Sequence, residues 1–154
     1  MTPVGVDTLA VSLLHPAARP PSRTRPGDAG YDLRCVEPFR LAPGERATVP
    51  TGIAVAIPEG AAGLVVPRSG LASRHGLSVV NGPGLIDPNY RGEVKVVLVN
   101  LDRETYEGRA GDRIAQLMLV PCLLPDVAVL DHLPAVVAER YDRYAVDGDG
   151  ASGR

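Results

Sequence analysis

Tryptophan is absent from the 154 residues, and aromatic side chains make up only 4% of them. An interior without large rings must be filled by Val, Leu, Ile and Ala, and the 45% apolar content suits a globular chain rather than a disordered one. Basic residues show no excess: 16 Lys and Arg stand against 18 Asp and Glu, for a formal charge of −2. That balance carries no footprint of nucleic acid as a partner. No apolar run approaches the roughly 20 residues needed to span a bilayer, so no membrane partner is expected. Residues 1–14 lack a positively charged start and a signal-type apolar block, which points to a cytoplasmic protein. The three histidines, His15, His75 and His132, have no metal-ligand spacing. Two cysteines, Cys35 and Cys122, lie far apart and outside any CxxC pair. A disulfide is open on arithmetic alone, but a reducing compartment and an adequate core favour two buried thiols.

Glycine (17) and proline (15) are what the chain has in plenty, and they recur along its whole length. Between them lie short runs that read as strands, at residues 8–14, 47–49, 53–57, 63–66, 93–98, 114–120 and 127–130. The run Val94-Lys95-Val96-Val97-Leu98-Val99 is the clearest. Many short strands with such punctuation predict an all-β sandwich or jelly roll. One short helix is expected over residues 70–75, capped by Ser69, with first-turn N–H groups free to meet an anion. Residues 133–144 could form another helical piece. The chain reads as one folded domain over residues 1–135, followed by a flexible arm over residues 136–154 whose small and acidic end cannot order alone.

Four patches could carry chemistry. Asp87 lies in Gly84-Leu85-Ile86-Asp87-Pro88-Asn89-Tyr90-Arg91-Gly92, at a hairpin mouth, where a carboxylate can deprotonate a water if an electrophile is held nearby. The turn signal Asn81-Gly82-Pro83-Gly84 places this patch on a β-hairpin, whose bend offers backbone groups to a planar base edge. Tyr90 offers a ring to a sugar, or is an ordinary half-buried strand residue. In Pro67-Arg68-Ser69-Gly70-Leu71-Ala72, Arg68 brings a planar fork, Ser69 a hydroxyl and Gly70 close backbone approach, all suited to phosphate. The same six residues also suit a plain surface turn. Gly111-Asp112-Arg113-Ile114-Ala115-Gln116 could present Arg113 and Gln116 to an anion, or be a turn in which Asp112 pairs with a local arginine. In Asp28-Ala29-Gly30-Tyr31-Asp32-Leu33, two carboxylates could organise Mg²⁺ directly or through its waters, or one could pin an arginine.

Taken in order, residues 28–33, 67–72, 81–92 and 111–116 resemble the first four motifs of the trimeric deoxyuridine triphosphatases (dUTPases), especially actinobacterial members. The resemblance covers about residues 5–130, and Gly-Leu-Ile-Asp-x-x-Tyr-Arg-Gly is a highly specific signature. It implies a distorted jelly roll and an enzyme, a dUTP diphosphatase, that hydrolyses dUTP to dUMP and pyrophosphate with Mg²⁺ by water attack on the α-phosphorus. Such an activity keeps uracil out of DNA and supplies dUMP for dTMP synthesis. Asp87 would orient and deprotonate the water. Tyr90 would stack under the deoxyribose, while Asn81 and the backbone from Gly84 through Leu85 and Ile86 to Asp87 would read uracil. Arg68, Ser69, Gly70, Arg113 and Gln116 would hold the phosphates, and Lys95 would border the substrate. Mg²⁺ would be held by the triphosphate and water with no direct protein ligand, in a region supported by Asp32. The resemblance also implies a homotrimer with shared sites, closed by a C-terminal arm from a third subunit.

The fifth family motif is where the chain departs. Asp147-Gly148-Asp149-Gly150-Ala151-Ser152-Gly153-Arg154 is its best match, with Asp149 in place of the ring that stacks on uracil. Arg143 lies one position from the arginine that would reach the γ-phosphate. Asp147 and Asp149 would bring negative charge towards a triphosphate. Either the lid is weakened, or Arg143 or Arg154 takes the missing role. The alternatives to a hydrolase are a weakly active or inactive dUTP-binding sensor of the same fold, and a dCTP deaminase. The latter needs a glutamate to activate water, and a second serine where Gly70 stands.

Overall fold

Residues 8–135 are described in a computed structural model of the chain. Among them the order is β1 (Ala10–Leu13), β2 (Tyr31–Arg34), β3 (Phe39–Leu41), β4 (Arg46–Pro50), β5 (Ile53–Ala56), β6 (Ala61–Val66), α1 (Ser69–His75), β7 (Leu77–Val79), β8 (Gly84–Ile86), β9 (Lys95–Asn100), β10 (Tyr106–Gly108) and β11 (Arg113–Pro121). All pairings are antiparallel. β2, β11, β6 and β8 form one sheet in that order, and β4, β9 and β7 a second, while β1 pairs with β5 and β10 with β3. This is the all-β, jelly-roll-like architecture expected from the punctuated strands, with one short helix.

The period-2 pattern of β9 shows why these residues make a sheet. Val96, Leu98 and Asn100 are buried, and the residues between them face outward. With no tryptophan to call on, the interior is aliphatic: Leu33, Leu41, Ile53, Leu77, Leu98, Ile114 and Leu117 are all fully buried. Two polar side chains, Thr51 and Asn100, are buried with them, Asn100 at 0% exposure. Its amide donates to the carbonyls of Leu41 (3.0 Å) and Glu104 (2.8 Å), and its Oδ1 accepts from the Asp102 N–H (2.9 Å). An alanine there leaves three backbone groups short of partners, so Asn100→Ala should cost about 2–3 kcal/mol. Urea unfolding should register the loss as a lower midpoint at unchanged slope.

The thiol of Cys35 donates to the Arg109 carbonyl at 3.0 Å, and burial pushes its pKa up. It is held protonated and inert. Cys35 and Cys122 are both free, and Cys122 is only half-buried rather than buried as expected.

Several expectations are corrected. The turn at residues 80–83 does not close a two-stranded hairpin. β7 bonds to β9 and β8 bonds to β6, so the turn carries the chain from one sheet to the other. Ser69 is not the helix cap. Arg68 occupies that position with extended backbone, and its carbonyl accepts the N–H groups of Leu71 and Ala72, both at 3.0 Å. Residues 127–130 form no strand, because they have no ladder partner among the described residues. Every strand named above lies within the compact unit Met1–Leu124. Residues 133–135 are not helical, and the rest of the expected second helix lies outside the described residues, as does the arm over 136–154.

Candidate active site

The chain leaves β8 at Ile86 and turns at once. Asp87 accepts the N–H of Tyr90 at 3.1 Å through its backbone carbonyl, closing a tight turn around Pro88 and Asn89. Both ends of that turn are exposed, so Asp87 and Tyr90 present their side chains to solvent rather than to the core. The Tyr90 hydroxyl donates to the Glu93 carbonyl at 2.8 Å. Gly92 makes that possible, because a Cβ there would lie 2.6 Å from the phenolic oxygen. Glu93 ties the segment down further: its Oε1 accepts the Gly52 N–H at 2.8 Å, and its Oε2 lies 3.6 Å from the Lys95 ammonium. Asp87, Tyr90, Glu93 and Lys95 line a cavity of about 270 Å³ together with Asn81, Gly84, Leu85 and Ile86. Val65 and Val79 bring buried aliphatic side chains to its lining, and Asn81, Asp87, Glu93 and Lys95 bring an amide, two carboxylates and one ammonium. Gly84 admits the Asn81 carboxamide, whose nitrogen would sit 3.2 Å from a Cβ at that position. A cavity that combines a few aliphatic side chains with amide, carboxylate, ammonium and backbone groups suits a small polar ligand.

A second depression, of about 320 Å³, is lined by polar residues. Asp32 on β2 organises it. Its Oδ1 accepts Arg68 Nε at 3.0 Å, and its Oδ2 accepts Arg113 Nη1 at 3.2 Å. One carboxylate thus holds two guanidiniums, leaving their remaining N–H groups for another anion. Of the two roles open to the Asp28/Asp32 pair, Asp32 takes the arginine-pinning one, while Asp28 accepts the Arg25 backbone N–H at 2.8 Å. Asp112 does pair with a local arginine, but through the Arg109 backbone N–H at 2.8 Å and not a guanidinium. Gln116 donates to the Pro67 carbonyl at 3.0 Å, and Ser69 and Gly70 begin α1 on the same wall. Among the described residues, no group of three or more His, Cys, Asp or Glu side chains could hold a metal ion.

The structure therefore sorts the sequence-derived candidates into two sets. Asn81, Gly84, Leu85, Ile86, Asp87, Tyr90 and Lys95 share the first cavity; Asp32, Arg68, Ser69, Gly70 and Gln116 share the second, with Arg113 at its edge. The two share no lining residue. Gly30, Glu93 and Thr24 were not singled out from the sequence. A Cβ at Gly30 would meet Gln116 Oε1 at 2.3 Å, so the missing side chain is what gives the amide its place. Gly30→Ala should shift Gln116 and lower kcat/KM for the substrate about tenfold or more, read by steady-state kinetics.

A model of the dUTPase family matches residues 17–142. The chain belongs to that family. A deoxyuridine 5'-triphosphate nucleotidohydrolase of Mycolicibacterium gilvum is 57% identical over 122 residues, covering 78% of this chain and 79% of its own. The corresponding protein of Mycobacterium marinum is 52% identical over 151 residues, or 96% of each chain. Among solved dUTPases, a mutant enzyme from phage phi11 of S. aureus, described with a structural Mg(II) ion, superposes with a TM-score of 0.78 at 32% identity. It covers 83% of this chain and 99% of its own. The dUTPase of Staphylococcus bacteriophage 80alpha with dUpNHpp gives 0.78 at 32% identity, covering 84% and 92%. All four motif blocks fall inside the span matched to the dUTPase family.

Proposed function

We propose that this chain is a dUTP diphosphatase, hydrolysing dUTP to dUMP and pyrophosphate. Membership of the dUTPase family carries the reading, supported by an exposed carboxylate, Asp87, on a cavity that Asn81, Val65 and Val79 also line. In the reaction, Asp87 takes a proton from water as the water oxygen bonds to the α-phosphorus. The bond from that phosphorus to the α–β bridging oxygen breaks, and pyrophosphate leaves. Uracil lies on Val65 and Val79, with Asn81 and the backbone of residues 84–87 at its edge. Tyr90, fixed by Glu93, lies under the sugar, where a 2′-hydroxyl finds no room. Arg68, Ser69, Gly70, Arg113 and Gln116 grip the phosphates, with Ser69 facing the bridging oxygen as charge develops there, and Lys95 borders them.

Both oxygens of Asp32 are taken by arginines, and no carboxylate cluster stands beside it among the described residues. That donor set suits Mg²⁺ carried in by the triphosphate and its water, with Asp32 supporting the region indirectly. Bound in that way, Mg²⁺ supplies charge neutralisation on the phosphates. Positioning is left to the chain's own groups.

The two depressions share no lining residue, and the resemblance to the trimeric dUTPases assigns them to different subunits. We therefore read the active form as a homotrimer, one subunit giving the slot of Asp87 and another the grip of Arg68. The arm over residues 136–154, outside the described residues, would close the site from a third subunit, with Asp147 and Asp149 weakening the closure unless Arg143 or Arg154 compensates. A cytoplasmic setting suits such an enzyme.

Pyrophosphate release tests the reading across four nucleotides with Mg²⁺. Turnover of dUTP should exceed that of dTTP, UTP and dCTP by about 10²-fold or more, since sites that exclude by clash or unpaired groups discriminate strongly. Equal rates on all four would refute the base and sugar assignments. Ammonia from dCTP would mark the deaminase instead, and dUTP binding without turnover the sensor.

A further inference from the structure

We propose that Thr24 is a positioning residue for the phosphate end of the substrate, acting through Arg113; the inference rests on the dUTP hydrolysis reading above. Thr24 lies on the proline-rich connector of residues 19–26, outside the four motif blocks, and its side chain closes a triangle. Its hydroxyl donates to Asp32 Oδ2 at 3.1 Å and accepts from Arg113 Nη1 at 3.1 Å. The same Nη1 donates to the same Oδ2 at 3.2 Å. Asp32 Oδ1 is meanwhile committed to Arg68 at 3.0 Å. One carboxylate thus serves two guanidiniums, and Thr24 fixes the division between them.

Arg113 needs this help. Its side chain is 37% exposed against 22% for Arg68, and long exposed cations lose rotamer freedom when held in one place. Among the described residues, the Arg113 guanidinium without that hydroxyl retains the contact to Asp32. The connector is itself fastened, so Thr24 holds its post although it faces solvent. The Asp32 N–H donates to the Ser22 carbonyl at 2.8 Å, the Arg25 N–H to Asp28 Oδ2 at 2.8 Å, and the Asp28 N–H to the Arg25 carbonyl at 3.2 Å. The role demands a group that donates to a carboxylate while accepting from a guanidinium. A hydroxyl does both; a methyl does neither.

The test compares wild type with Thr24→Val, which keeps the shape, and Thr24→Ser, which keeps the hydroxyl. In steady-state dUTP hydrolysis with Mg²⁺, Thr24→Val should raise KM about five- to tenfold and change kcat by less than about twofold. Inhibition by inorganic pyrophosphate should weaken by a similar factor, while inhibition by dUMP holds. Thr24→Ser should restore both constants. Wild-type KM and pyrophosphate inhibition in Thr24→Val would overturn the proposal, as would equal weakening towards dUMP or a serine variant as impaired as valine. Wild-type protein that leaves dUTP intact would sink the hydrolase reading instead. Calorimetric titration of both variants with pyrophosphate and Mg²⁺ would then still decide the part played by Thr24.

Discussion

Asp87→Asn should cut kcat for dUTP by about 10²–10⁴-fold, the range that a positioned general base supplies. The amide keeps the size and planarity of the carboxylate but has no oxygen able to take up the water's proton. Since Asp87 is exposed and its backbone carbonyl, not its side chain, holds the turn to Tyr90, stability should move by less than about 0.5 kcal/mol. KM should change little, because the contacts assigned to uracil and phosphate survive. Pyrophosphate release from both proteins under saturating dUTP measures the ratio. Comparable rates would remove Asp87 from the mechanism.

Asp32→Asn should act on binding rather than on the chemical step. The substitution takes charge from an oxygen pair that holds Arg68 at 3.0 Å and Arg113 at 3.2 Å, and leaves two guanidiniums facing each other without a shared anion. Removing one partner of a well-buried pair costs about 3–5 kcal/mol, but these arginines are partly solvated, so about 2–3 kcal/mol is expected. That figure is a loss of folding stability; the displaced arginines should separately lower kcat/KM by about tenfold or more, carried mainly by KM. Raising ionic strength should weaken the wild type more than the variant, because the grip loses its organised charge. An unaltered KM would show that the arginines hold their places without Asp32.

Strand positions were legible wherever apolar residues alternate, as in β9, or run unbroken, as in β5. The short strands β2, β3 and β10 escaped notice because three or four residues hold no period. Which strand bonds to which is a long-range matter, and for that reason Asn81-Gly82-Pro83-Gly84 announced a turn without revealing that its two arms enter different sheets. Serine before a helical run is a sound capping signal, yet Arg68 already had the extended backbone a cap requires and a carboxylate to spend its side chain on. The apolar residues Val127, Val129 and Leu130 had strand-forming character and no ladder to join. Within the site, Asp87 and the arginine-bearing blocks stood out because their residue types are chemically pointed. Gly30 and Thr24 did not. The first matters for an atom it lacks, the second for two contacts made across 8 and 89 residues of sequence.

The parting of β7 and β8 sets the cavity beside Asp87 between two sheets. Among the residues lining it, Val79 belongs to the three-stranded sheet, and Val65 and Gly84 to the four-stranded one. The width of that cavity is then a spacing between layers, set by the aliphatic packing that keeps them apart. Trimming that packing would let thymine nucleotides in while every atom that meets the ring stayed the same, so fidelity and melting temperature should decline together.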